Sequence, residues 1–164
     1  MYGDKFKNFV NNGIGKYYIG IGNPNSNTLL IGKESAIGSE DFDNRSFYNQ
    51  NAQYWQDLIN QNKPELLEYP VDNGHPLKNS WGKNTWSKYQ RLSDAIRKSE
   101  SKPYYVDFLK HCFTTEINDA PMKRTSAADK SSLEDRKLVF KNSKFIQDFP
   151  VVVLACSDYI INND

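Results

Sequence analysis

The sequence predicts an α/β fold: a three-layer α/β/α sandwich around a short, mainly parallel central sheet. Three observations lead there. "TLLIG" at 28–32 is a short apolar run bounded on both sides by turn residues, the signature of a strand buried on both faces. "PVVVLACSDYI" at 150–160 carries a Val-Val-Val-Leu run that suits a parallel strand covered on both sides. Between these runs stand stretches with helical spacing and one further apolar segment. The order strand, helices, strand, helix, strand implies a parallel sheet with helices on its faces.

The elements follow in chain order. Residues 4–12 read as a short helix with Phe6, Phe9 and Val10 on one side. "GKYYIGIG" at 15–22 reads as an edge strand or extended loop, weakened by its glycines, and "NPNSN" as a turn cluster. "NAQYWQDLIN" at 51–60 is helical, with Ala52, Trp55 and Ile59 in register and Leu58 widening the stripe. The stretch 62–84 holds three prolines and two glycines and reads as a long irregular excursion. Residues 84–100 form a helix capped by Asn84 or Thr85, with Trp86, Tyr89, Leu92 or Ser93, and Ile96 as its apolar stripe. "PYYVDFLKHCFTTEIN" contains the second buried strand, ending between Thr115 and Asn118. A polar loop with a basic cluster leads into one or two helices over 132–149, with Ser131 or Ser132 as cap, and then the third strand.

Composition narrows the function. The chain has 164 residues, enough for one domain with a real core, and 1–164 reads as a single α/β domain. Net charge is +1, so no global field favours nucleic acid or a membrane, although 21 Lys and Arg leave room for a local basic face. Hydrophobic residues are 38% and aromatic residues 13%, which predicts a core rich in Tyr, Phe and Trp. No stretch approaches the ~20 apolar residues of a membrane span, and the first residues lack the apolar run of a signal peptide. Cys112 and Cys156 lie in apolar runs, which favours buried free thiols in a reducing compartment, hence a cytoplasmic location. His75 and His111 lack ligand spacing, and two cysteines alone cannot supply a cluster, so neither metal nor cofactor is predicted.

Two glycine clusters compete as ligand loops. Gly20-Ile21-Gly22 lacks the third glycine and the immediate helix of a dinucleotide fingerprint, and turn residues follow it. Gly32-Lys33-Glu34-Ser35-Ala36 directly follows the most apolar early strand. In parallel sheets ligands bind at the carboxyl ends of strands, which singles out the positions after Gly32, Thr115 and Ala155. Glycine lets a ligand approach the backbone. A carboxylate at position 34 is placed to orient water, act as a general base or stabilise positive charge; helix capping or pairing with a surface lysine is the simpler alternative.

"TLLIGKESAIG" resembles the first motif of the uracil-DNA glycosylase superfamily, in which a buried strand ends in Gly-x-(Asp/Asn/Ala)-Pro. Gly32 matches the glycine and Glu34 the position that places the attacking water; Ser35 stands where the family usually has proline. "NQNAQYWQDL" is similar to the Asn-x-Phe-Trp-x-x-Leu segment of the mismatch-specific branch, with one extra residue in Asn51 to Leu58. "HCFTTEIND" falls where the second strand delivers a base-reading side chain, with Asn118 the candidate and Glu116 the runner-up. "FIQDFPVVVLACSDYI" is similar to the third-strand segment.

The resemblance covers about two thirds of the chain and rests on order and spacing more than on identities. It implies a DNA glycosylase-like hydrolase that cleaves the N-glycosidic bond of a flipped-out damaged or modified base, with DNA or a nucleotide as partner. Glu34 would be catalytic. Gly32, Lys33, Asn118 and Glu116 would bind the base, and Phe42, Phe47 or Tyr48 would stack on it. Lys123, Arg124 and Lys130, with Lys33, would contact phosphate. The family's second catalytic loop bears a histidine after a fourth strand; this sequence ends at Asp164, soon after the third, and neither His75 nor His111 takes that place. The expectation is therefore a fragment truncated at the C-terminus, a shortened relative, or a member without that loop. The alternatives are a non-catalytic nucleotide-, nucleic-acid- or protein-binding module on the same scaffold, or an unrelated open-sheet protein.

Overall fold

The computed structural model describes residues 1–38, 40–156, 159 and 160. It has an α/β architecture built on a four-stranded sheet in the order β1-β5-β2-β6. Here β1 is Ile21–Gly22, β2 Thr28–Gly32, β5 Phe113–Glu116 and β6 Val151–Leu154. β2 runs parallel to both neighbours, with Leu30 opposite Thr114 and Val153; β1 alone is antiparallel, on the outer side of β5. The earliest parallel strand thus lies in the middle. The chain reaches β5 on one side of it and then crosses to β6 on the other, which places β2 where the strand order reverses.

Helices cover both faces because β2 is apolar on both. Leu29 and Ile31 face a core built by α1 (Asp4–Gly13), α3 (Asn51–Asn60), α5 (Leu133–Asn142) and α6 (Lys144–Gln147). Aromatic rings dominate this layer: Phe6, Trp55, Phe113 and Phe145 meet edge to face or tilted at 4.9–6.2 Å. Leu30 faces a smaller core with Tyr89 of α4 (Thr85–Arg97), Val71, Phe108, Leu109 and Cys112. Cys112 and Cys156 are both buried and not joined to each other by a disulfide. Among the described residues no helix is long and apolar enough to cross a membrane.

Four expectations change. β6 is not buried on both faces. It is an edge strand whose Val151, Val152 and Leu154 are 47, 44 and 52% exposed, because among the described residues no helix or strand covers its outer side. It is also shorter than 150–160, and residues 157 and 158 of that stretch lie outside the described residues. The expected stripe of α4 holds only in part: Tyr89 and Ser93 are buried and Trp86 and Leu92 pack against the smaller core, but Ile96 is exposed and the polar Ser87, Gln90 and Asp94 are buried as well. The reason is local. Gln90 Oε1 accepts from the backbone N–H groups of Asp107 and Phe108, which fixes the approach to β5. Phe42–Asn49 is a helix, α2, that the sequence pattern did not reveal; Asp41 caps it by accepting from the Asn44 N–H. The excursion after α3 is largely irregular but contributes β3 (Tyr69–Pro70), which pairs with β4 (Tyr105–Val106) in a separate ribbon.

Candidate functional site

The glycine at 20 is structural. Its φ is +130°, and a Cβ there would collide with the Thr114 carbonyl, so it lets the chain lie close against β5. The buried Asn51 side chain clamps this turn, accepting from the Ile19 and Gly20 N–H groups and donating to the Gly20 carbonyl at 3.0 Å.

At the carboxyl ends of β2 and β5 the strand register sets Gly32 opposite Glu116. A Cβ on Gly32 would fall 2.9 Å from the Glu116 carboxyl carbon and closer still to Oε2, so the glycine makes room for this side chain. Backbone bonds extend the pairing past the strands: Ile117 N–H donates to Gly32 O at 3.0 Å and Asn118 N–H to Lys33 O at 2.8 Å. Glu34 follows directly and is half-buried. Its Oε2 accepts from the Tyr159 hydroxyl at 2.6 Å. Lys130 Nζ lies 4.7 Å, and Lys33 Nζ 5.5 Å, from the centre of the Tyr159 ring.

Glu116 occupies an unusual environment. Its Oε2 is sealed from solvent and has no hydrogen-bonding partner among the described residues, while the residue as a whole keeps some accessible surface. Burial, reinforced by the charge of Glu34 and opposed by that of Arg136, pushes its carboxyl up to about 8. Eight buried side-chain atoms lack a hydrogen-bond partner by distance and angle among the described residues; Glu116 Oε2, Tyr89 Oη and Arg136 Nη1 are among them, and Tyr48 Oη has only the Ser35 hydroxyl beside it. Glu116 is the charge that acts most strongly on both tyrosine hydroxyls, and burial raises both above their ordinary value. Buried polar groups in native proteins are nearly always paired, so this concentration marks the carboxyl end of the sheet as the chemically unusual part of the molecule.

Arg136 anchors the site from α5. It is 2% exposed, its Nη2 donates to the Tyr18 carbonyl at 2.6 Å and to Thr115 Oγ1 at 3.1 Å, and its Nε donates to the Glu116 carbonyl at 3.2 Å. Tyr17 and Phe140 pack against its guanidinium. The sequence reading missed Arg136, Tyr18 and Tyr159. Arg136 had a signal, since it stands on the apolar face of α5 between Leu133 and Phe140. Tyr159 had none.

The remaining predicted residues divide. Asn118 is at the expected end of the sheet, but its amide is spent on the loop that follows: Oδ1 accepts from Ala120 N–H at 3.1 Å and Nδ2 donates to Asp129 O at 2.9 Å. Of the three aromatic candidates only Tyr48 turns inward. It stacks on Tyr18 with centroids 4.1 Å apart and its hydroxyl lies beside that of Ser35. Phe42 and Phe47 are 78 and 49% exposed. Lys123 pairs with Glu40 at 3.3 Å, and Arg124 is exposed in the same loop. Among the described residues no three His, Cys, Asp or Glu side chains gather as a metal site.

A hollow of about 530 Å³ lies elsewhere, at the amino ends of β2 and β6 between Gly3–Phe6, Pro24–Asn27 and Asp148–Pro150. It is lined by turn backbone and a Lys5–Asp148 ion pair, so it offers no chemistry comparable to the Glu34–Glu116 pair. The chain matches no family model, no curated protein and no solved structure.

Proposed function

We propose that the protein hydrolyses an N-glycosidic bond, releasing a base from a nucleotide in DNA, with Glu34 holding the attacking water. The observation that carries this reading is the placement of Glu34 at the carboxyl end of the central parallel strand, next to a second carboxyl in a different environment. Hydrolysis of such a bond develops positive charge on the sugar, and a carboxylate beside the anomeric carbon both stabilises that charge and takes a proton from water. The base must leave the stack to reach it. Phe42 and Phe47 supply exposed aromatic faces on the helix that follows, and Lys33, Arg124 and Lys130 supply cations for phosphate.

The test is base release from single- and double-stranded oligonucleotides carrying deaminated bases, with uracil first. Wild-type protein is expected to release the base, and Glu34→Gln to lose roughly 10²-fold or more in rate. Binding without release favours the alternative of a non-catalytic module on the same scaffold. Neither binding nor release refutes both.

A further inference from the structure

Hydrolysis of a glycosidic bond needs two proton transfers: one from water, and one to the departing base. Glu34 serves the first. We propose that Glu116 serves the second as the general acid, its carboxyl protonating the base as the C1′–N bond breaks. This rests on the hydrolase reading and adds a partner for the leaving group.

The geometry is specific. Glu116 ends β5 opposite Gly32, and the missing side chain at 32 is what admits its carboxyl to the β2 strand end, beside Glu34. One carboxyl oxygen is sealed without a partner, so ionising the group would leave a buried charge with no hydrogen bond to steady it. Two charges act on it, Glu34 from the loop after β2 and Arg136 from α5, and its own charge acts on the hydroxyls of Tyr48 in α2, Tyr89 in α4 and Tyr18 before β1. Arg136 favours the ionised form; burial and Glu34 oppose it and prevail, holding the carboxyl protonated at neutral pH. A carboxyl kept protonated by its surroundings is suited to donate a proton to a leaving group.

The step balances. The C1′–N bonding pair stays with the base, which takes the Glu116 proton. Water oxygen bonds to C1′ and gives its proton to Glu34. The products are free base and a sugar hydroxyl, and proton exchange with solvent restores Glu116–H and the Glu34 carboxylate.

The experiment compares two DNA substrates, one bearing uracil and one bearing 5-fluorouracil, whose departing anion is better stabilised and needs less protonation. Glu116→Gln keeps the shape of the side chain and removes the acid; circular dichroism checks that it is folded. Expected is a loss of roughly 10²-fold on uracil and a far smaller loss on 5-fluorouracil, with the alkaline fall in wild-type rate near pH 8 absent from the variant. Glu34→Gln should lose equally on both substrates. An equal loss on both by Glu116→Gln, with the alkaline limb retained, overturns the acid role and leaves the hydrolase reading standing. Release of neither base by wild-type protein overturns both.

Discussion

Gly32 and Glu116 face each other across β2 and β5, and the absence of one methyl group at position 32 is what gives the Glu116 carboxyl its seat. Gly32→Ala is therefore expected to displace a side-chain end rather than the sheet. The cost should be about 1 kcal/mol, at the low end for overpacking, while the Glu116 carboxyl loses its position. In urea denaturation a Glu116→Ala background should relieve most of that cost, a coupling of about 1 kcal/mol. Additive effects would show that the two residues do not meet.

Stability should fall as pH rises from about 5 to about 8. Glu116 and Glu65 are both held near 8 against an ordinary 4.5, Glu116 by burial and the charge of Glu34, Glu65 by burial opposed by the Gly22 N–H it accepts at 2.7 Å. A raised folded value means that, in this window, the unfolded chain releases protons that the folded chain keeps, so rising pH favours unfolding. The slope is at most about 1.4 kcal/mol per pH unit for each carboxyl. Urea midpoints at pH 5, 6, 7 and 8 measure it, and Glu116→Gln should flatten the curve. A stability that rises across this range would contradict the burial of both groups.

Arg136 joins three acceptors from two separate parts of the chain: the carbonyl of Tyr18 before β1, and the Glu116 carbonyl and Thr115 Oγ1 of β5. Arg136→Met keeps much of the packing against Tyr17 and Phe140 but leaves those acceptors without their donor. A loss of about 3–5 kcal/mol is expected, and Arg136→Lys should recover only part, since an ammonium lacks the planar fork that spans them. A loss below about 1 kcal/mol would mean the guanidinium is not the clamp.

An edge position and a central position of the sheet should respond very differently to mutation. Leu154→Lys on the exposed edge strand is expected to change stability by less than about 1 kcal/mol. Leu30→Ala, 1% exposed in the middle strand, should cost about 2–5 kcal/mol. Comparable costs would show that β6 is covered in solution.

Much of the framework was legible in the sequence because it is written in local patterns. The run at 28–32 is β2, with every residue buried; the Ala52–Trp55 spacing is α3; and Asn84 caps α4 by accepting from Ser87 N–H. The carboxyl end of β2 and the acidic residue just beyond it followed from that strand alone. Where the pattern failed, a long-range contact had overridden it. The polar face of α4 is buried because Gln90 binds the backbone at 107–108, and α2 stays hidden because its buried side reduces to Tyr48.

By itself the sequence determined the alternating order of elements, the apolar middle strand and the position of Glu34 at its end, since each depends on residues a few places apart. Only the tertiary structure decided that Glu116 lies within electrostatic reach of Glu34 while the Asn118 amide is spent on its own loop, that Arg136 is buried against the Glu116 backbone, and that β6 lies at an open edge. Strand neighbours, register and face coverage are set by which distant surfaces pack together, and no local periodicity encodes them.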